Sequence, residues 1–193
     1  KRNEFGVDNN EFLITAVGRL EKNKNVKNMI KAIAKTNNSV KLLLCGDGEQ
    51  ADDMKNLAKE LNVEDRVIFV GFRNDISEIL KSSDAYMLIS YREGLSRSLM
   101  EAMAAGLPCI ASNIRGNVDL IEDGVGGYLV DSDDVDEIAV SINMLSNNKE
   151  LCKIMGEKNK IKVMDNDIKN TKFEMVEIYK KILNLSCKQQ EGG

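Results

Sequence analysis

Residues 85–116 read AYMLISYREGLSRSLMEAMAAGLPCIASNIRG. The first five, Ala85 to Ile89, are apolar without alternation, and so are Cys109 to Ala111 near the end. A short run that is apolar at every position reads as a strand buried on both faces. Between the two runs lie a glycine-bearing loop and a segment, from about Ser98 to Ala105, with the composition of a helix. Strand, loop, helix and strand make one parallel crossover. The loop places Glu93, and the helix places Glu101, at the C-terminal edge of a sheet, where open α/β folds build ligand sites. Ser98-x-x-Glu101 also spells a capping box, which predicts Ser98 as the N-cap and Glu101 as its reciprocal partner.

The same alternation extends outward. Strands are predicted over 12–17 (FLITAV), 40–45, 66–70, 85–89, 109–111 and 128–130. Helices are predicted over 26–35, about 50–61, 76–81, 134–146, about 149–164 and 170–185, with one helical turn at 118–122. Val26, Met29, Ile30 and Ile33 show the spacing of a helix with one buried face. Continuously apolar strands alternating with helices predict a doubly wound, Rossmann-like α/β domain with a mostly parallel six-stranded sheet. At 193 residues the expectation is one domain, 1–193, with a helical extension over about 149–185.

Bulk properties narrow the function classes. The net charge of −4 offers no strongly basic face for nucleic acid. No apolar run approaches the roughly 20 residues of a membrane span. Histidine is absent, which excludes histidine acid–base chemistry within this chain. Cys45 and Cys109 sit inside apolar strands and no C-x-x-C pair exists, so reduced, buried thiols are expected and zinc ligation is not. The chain opens at Lys1 without a methionine, which reads as a fragment or a processed chain.

The strand-to-helix loops gather on one edge and carry the candidate residues. Arg19 and Lys24 bring two cations into the first loop, as suits a diphosphate, although a solvated surface pair is the commoner role for such residues. Gly46-Asp47-Gly48 turns tightly and admits close approach of a ligand or of backbone. No complete G-x-G-x-x-G follows the first strand, which argues against a nicotinamide enzyme. Asp131-Ser132-Asp133 and Asp165-Asn166-Asp167 are short acidic pairs of a kind common in loops, and no metal site is expected.

Taken in order, Gly18-Arg19-Leu20 with Lys24, Gly46-Asp47-Gly48, Val70-Gly71-Phe72, Ser90-x-x-Glu93-Gly94 with Glu101-Ala102-Met103-Ala104, Gly106-x-Pro108, and Asp123-Gly124 with Gly127-Tyr128-Leu129-Val130 resemble one family across residues 12–140. The chain resembles the C-terminal, nucleotide-sugar-binding half of a retaining group-1 glycosyltransferase of GT-B architecture, glycogen-synthase-like, with an E-x7-E motif. The resemblance implies that Arg19 and Lys24 hold the diphosphate and stabilise it as leaving group, and that Glu93 contacts the transferred sugar. It further implies that Glu101 binds the ribose hydroxyls, that backbone amides from Gly94 through Leu95, Ser96 and Arg97 to Ser98 meet the phosphates, and that Phe72 and Arg73 border the base. Gly18 and Gly46 would let backbone approach the ligand.

The same resemblance implies no essential metal or other cofactor. The sugar donor would be a UDP-sugar, with GDP- or ADP-sugars as alternatives. It implies a saccharide or lipid-linked acceptor held by an N-terminal domain that this chain lacks, and a cytoplasmic enzyme acting there or at the inner membrane surface in polysaccharide or glycolipid synthesis. Where relatives have Gly-Phe-Gly after the first glutamate, this chain has Gly94-Leu95-Ser96-Arg97, and Arg115-Gly116 replaces a paired glycine. Arg97 either enters the sugar or phosphate pocket or points outward. Two other readings stand beside this one: a GT-B-like nucleotide-sugar epimerase, and a non-catalytic nucleotide-sugar-binding module.

Overall fold

The computed structural model describes residues 1–164. Its strands are β1 (Phe12–Val17), β2 (Val40–Cys45), β3 (Val67–Gly71), β4 (Ala85–Leu88), β5 (Cys109–Ser112) and β6 (Gly127–Val130). They form one sheet in the order β3-β2-β1-β4-β5-β6, with every neighbouring pair parallel. This is the doubly wound α/β arrangement the apolar runs predicted. The strand order reverses between β1 and β4, so connections leave that point toward opposite edges of the sheet, and a crevice opens above it.

The helices are α1 (Val26–Ala34), α2 (Ala51–Glu60), α3 (Ile76–Ser82), α4 (Arg97–Ala104) and α5 (Val135–Ser146). Residues 149–164 are helical as well. Period-two side-chain alternation divides the core between the faces of the sheet. Phe12, Ile14 and Ala16 of β1 pack with Met29, Ile30 and Ile33 of α1, with Met54 and Ala58 of α2, and with Ile138 and Ile142 of α5. On the other face, Tyr86 and Leu88 of β4 pack with Leu80 of α3 and with Leu99, Ala102 and Met103 of α4. Leu13 and Leu43 meet Ile79 of α3 there. Asn159, almost fully buried, docks the 149–164 helix by donating from Nδ2 to the carbonyls of Leu107 (2.8 Å) and Gly126 (2.6 Å).

Three local expectations change. Arg66 lies just before β3 and acts as a cap: its guanidinium donates to the carbonyls of Ile33 (2.6 Å), Thr36 (3.3 Å) and Asn37 (2.7 Å) at the C-terminal end of α1. Ile33 O also accepts the Thr36 amide (3.1 Å) and Asn37 O the Val40 amide (3.2 Å), and the cation faces the negative end of the helix dipole. The single helical turn expected at 118–122 is instead a series of turns closed by Asn117 N–H to Ile114 O and Leu120 N–H to Asn117 O. The capping box is also absent. Ser96, not Ser98, is the N-cap of α4, and its Oγ accepts the Leu99 amide at 3.4 Å. The helix predicted over 170–185 lies outside the described residues.

Two outcomes are expected from this architecture. Arg66→Met should lower unfolding free energy by about 2–3 kcal/mol in urea titrations, because three carbonyls, two of them buried, lose a charged donor. Arg66→Lys should recover only part of that, since an ammonium lacks the planar fork. Burial pushes the thiols of Cys45 and Cys152 up to about 12 and about 11, and that of Cys109 upward as well. In a Cys187→Ser background, the native protein should therefore resist a thiol reagent at pH 8 and react fully once unfolded. An unfolded thiol ionises near 9, so the unfolded chain loses protons first. This contribution is complete below that pH and fades as pH rises toward 11–12, and the urea midpoint should fall over that interval.

Candidate functional site

The loop after β1 carries Gly18 to Asn25, and the loop after β4 carries Ser90 to Ser96; both open above the strand-order reversal. Backbone holds them together: the Tyr91 amide donates to the Asn23 carbonyl (2.9 Å), and Asn23 Nδ2 donates to the Arg92 carbonyl (3.0 Å). Across this seam Lys24 Nζ meets Glu93 Oε1 at 2.6 Å, with side chains 20% and 11% exposed. The aliphatic stem of Lys24 lies along Gly18, its Cε 3.4 Å from where a Cβ would stand. Arg19, by contrast, has a side chain 78% exposed in the cleft, and its ion-pair contact among the described residues is with Glu21, at 4.0 Å.

The loop after β2 supports this arrangement from below. Gly46 has φ +141°, and a Cβ there would stand 2.0 Å from the Gly18 carbonyl oxygen. Gly46 N–H donates to Gly71 O (2.8 Å), and Leu20 N–H donates to Asp47 O (3.0 Å). The glycine is thus required by backbone meeting backbone. A similar approach occurs at Gly116, φ +94°, where a Cβ would lie 2.2 Å from the carbonyl oxygen of Gly94. That contact backs the Glu93–Gly94 turn.

A cavity of about 810 Å³ follows, lined by Gly18, Arg19, Gly46, Asp47, Phe72 and Arg73 among others. A second, of about 560 Å³, is lined by Arg73, Ile76, Ser77, Leu80, Lys81 and Glu101. Arg73 and Ile76 border both, so the two form one trough along the sheet edge from Arg19 to Glu101. Phe72 stands 78% exposed at its rim. Glu93, Gly94 and Leu95 border a separate hollow of about 290 Å³ with Arg115, Gly116 and Asp119. Of the residues expected at the site, Gly18, Arg19, Gly46, Phe72, Arg73 and Glu101 line this trough.

Individual residues differ from their expected surroundings. Arg73 is already committed: it donates to both carboxylate oxygens of Asp75 (2.8 and 2.7 Å) and to Glu4 (2.8 Å), with its guanidinium 5.7 Å from the centre of the Phe5 ring. The Arg73 guanidinium, and then Lys1, hold the Asp75 carboxyl well below the usual carboxylate range. Arg73 therefore fixes the trough wall. Glu101, the fifth residue of α4, is exposed and makes no capping bond. Arg97 is exposed at the first helical position. Leu95 is 70% exposed. The Asp131–Asp133 pair is used locally: Asp131 Oδ1 accepts the Asp133 amide (2.8 Å), and Asp133 accepts the Tyr91 hydroxyl (2.9 Å).

Among the described residues no group of three or more His, Cys, Asp or Glu could hold a metal ion, and no helix is long and apolar enough to cross a membrane. Sequence reasoning missed Asn23 and Tyr91, which tie the two loops, and Glu4, which helps hold Arg73. Asn23 and Glu4 reach partners 69 residues away, and no local spacing signals such a contact. It also missed Tyr86, which reads as one more apolar strand residue until its hydroxyl is placed.

Comparison with known proteins gives the family and the fold. The family described as "Glycosyl transferases group 1" matches residues 1–162. An N-acetyl-alpha-D-glucosaminyl L-malate synthase of Bacillus anthracis is 35% identical over 159 residues, covering 81% of this chain and 42% of that protein. A UDP-Gal:alpha-D-GlcNAc-diphosphoundecaprenol alpha-1,3-galactosyltransferase of Escherichia coli is 37% identical over 158 residues, covering 78% of this chain and 41% of that one. This chain thus spans less than half the length of either relative. HepE of Anabaena, solved with UDP, superposes with a TM-score of 0.84 at 26% identity, over 91% of this chain and 51% of that one. Its complex with UDP-glucose gives 0.81 at 29% identity, over 85% and 46%. The fold is that of the GT-B glycosyltransferases, and the chain belongs to the group 1 glycosyltransferase family.

Proposed function

We propose that this chain supplies the nucleotide-sugar site of a retaining glycosyltransferase. The observation that carries the reading is the meeting of Lys24 and Glu93 at 2.6 Å across the strand-order reversal. One loop delivers a cation suited to a diphosphate, and the other delivers a carboxylate suited to sugar hydroxyls, at a single point. In this reading the diphosphate lies over Arg19, Lys24 and the first amides of α4. The sugar meets Glu93, the ribose meets Glu101, and the base lies against Phe72 where Arg73 holds the wall.

Negative charge develops on the diphosphate as its bond to the anomeric carbon breaks. Fixed cations and unpaired amides lower that barrier because they are in place before the charge appears. Lys24 is held for this role by its stem along Gly18, and Arg19 approaches from solvent. No metal takes part in this scheme. The acceptor, a saccharide or lipid-linked sugar in polysaccharide or glycolipid synthesis, would be held by an N-terminal domain outside this chain. The isolated chain, treated as one nucleotide-binding domain over 1–193, would then bind nucleotide but transfer sugar poorly. The uridine nucleotide named for the E. coli relative and bound in HepE supports UDP as the first candidate, ahead of GDP and ADP. A cytoplasmic location, or one at the inner membrane surface, follows from that substrate choice.

Calorimetric titration with UDP, GDP and ADP tests the reading. One nucleotide should bind. Lys24→Ala should weaken it at least about ten-fold, as loss of a charge-assisted bond does, and Glu101→Ala should weaken it too. Arg19→Ala should have a smaller effect of about three-fold, because the side chain is exposed and screened. Glu93→Gln should keep or raise UDP affinity, since it frees Lys24, yet it should lower kcat of the full-length enzyme about 100-fold or more. Absence of nucleotide binding in both the isolated chain and the full-length protein would overturn the reading. Hydrolysis or epimerisation of the nucleotide sugar without transfer by the full-length enzyme would favour the epimerase instead.

A further inference from the structure

We propose that residues 1–5 form a strap belonging to the nucleobase site, in which Glu4 and Phe5 are positioning residues that hold Arg73 and leave its Nη1 for a carbonyl of the base; this rests on the nucleotide-sugar reading above. The need for a strap begins at α3, which is only seven residues long. Isolated helices shorter than about 12–15 residues are marginal in water. Its N-cap residue, Asp75, makes no side-chain cap bond, although an N-cap aspartate ordinarily accepts an amide of the first turn. The Asp75 carboxylate is taken instead by Arg73, through bonds of 2.8 and 2.7 Å, and by Lys1. The start of α3 is therefore fastened by charge, and the fastening runs out of the trough into the strap.

Side chains of the strap grip α3 at both ends. Glu4 accepts from Arg73 Nη2 at 2.8 Å, and Lys1 Nζ binds Glu4 at 3.0 Å as well as Asp75. The Phe5 ring stands 5.7 Å from the Arg73 guanidinium. It packs against the apolar cluster of Val7, Leu13, Cys45 and Ile79, as do Val70 and Ile76, which flank the 71–75 loop. At the far end of α3, the Arg2 guanidinium donates to the Ser82 carbonyl (3.2 Å) and the Asp84 carboxylate (2.9 Å). It also donates to the carbonyls of Asp8 (2.9 Å) and Glu11 (2.6 Å), which closes the strap on itself. A lone surface ion pair holds little, but a bidentate arginine within a network of several charges fixes a geometry.

The consequence for the ligand comes from counting donors. A guanidinium carries five N–H groups in a fixed plane. Asp75 and Glu4 use Nε and Nη2, and Nη1 has no partner among the described residues. Arg73 lines both parts of the trough, beside the exposed Phe72. With the plane of the guanidinium fixed by the strap, Nη1 offers two N–H groups that select an exocyclic carbonyl oxygen. Uracil and guanine carry one, whereas adenine carries an amino group in its place.

The test titrates this chain with UDP, GDP and ADP, and with inorganic pyrophosphate as the base-free probe, then repeats the series with Glu4→Gln, Phe5→Leu, Arg73→Gln and the Glu4→Gln/Arg73→Gln pair. The unaltered chain should bind UDP or GDP about ten-fold more tightly than ADP. Glu4→Gln should weaken the preferred nucleotide about three-fold and Phe5→Leu about two-fold. Both should narrow the margin over ADP and leave pyrophosphate binding unchanged. Glu4 is exposed and leucine keeps the apolar contact of Phe5, so both variants should fold. Arg73→Gln should cost about ten-fold, and Glu4→Gln should add nothing in that background, because the strap acts through Arg73. Equal losses for nucleotide and pyrophosphate would make the strap merely structural and overturn its role, as would additive losses in the paired variant or unchanged nucleotide affinity in both strap variants. Tighter binding of ADP by the unaltered chain would overturn the strap while the site stands. Failure of every nucleotide to bind this chain and the full-length protein would overturn both.

Discussion

The Lys24–Glu93 ion pair closes the gap between β1 and β4, the point from which the chain winds outward in two directions. Neither residue belongs to a regular element that could hold it alone. Lys24 ends a single 3-10 turn, and Glu93 sits in an irregular loop. Their meeting depends on the Asn23–Tyr91 and Asn23–Arg92 hydrogen bonds beside them, and those depend on parallel pairing of β1 with β4. A half-buried pair at 2.6 Å gains more from each charge than a surface pair would, because less water screens it. It also keeps both charges from being stranded without a partner.

The cations around the cleft divide by what already satisfies them. Arg66 is spent on the carbonyls at the end of α1, and Arg73 on Asp75 and Glu4. Each stabilises a wall. Among the described residues Arg19 approaches only Glu21, at 4.0 Å, and Lys24 has one partner, Glu93. The difference is a matter of geometry: all four are long basic side chains, and only their neighbours separate structural charge from charge available to a ligand. The carboxylates divide in the same way. Asp75, Asp131 and Asp133 are engaged by nearby donors, whereas Glu101 stands open on the trough.

Close backbone approaches complete the site. At Gly46 the loops after β1 and β2 touch with no room for a side chain, and at Gly116 the loop after β5 backs the turn that carries Glu93. Any larger residue would separate these loops by an ångström or more. The position of Lys24 relative to Glu93 would move with them, because a packed interior transmits such displacements.

The sequence by itself determined the sheet, the helices and the edge on which chemistry could sit. Continuous apolar runs such as Val40 to Cys45 require burial on both faces, and periodic helices such as Val26 to Ala34 require one buried face; both are local consequences of chain geometry. The ordered motifs also assign Arg19, Lys24, Glu93 and Glu101 to one edge of the sheet. Tertiary structure alone decided which polar atoms meet. Ser98 spelled a cap, yet its Oγ is taken by Tyr86 and the cap passes to Ser96. Arg66 looked like part of a strand and proved to cap a helix from an element remote in sequence. Arg73, expected to border the base, is held by Asp75 and by Glu4, 69 residues away. Periodicity reports how a residue relates to its own helix or strand. A hydrogen bond between residues dozens of positions apart leaves no such period, and it exists only once the sheet has brought the two ends together.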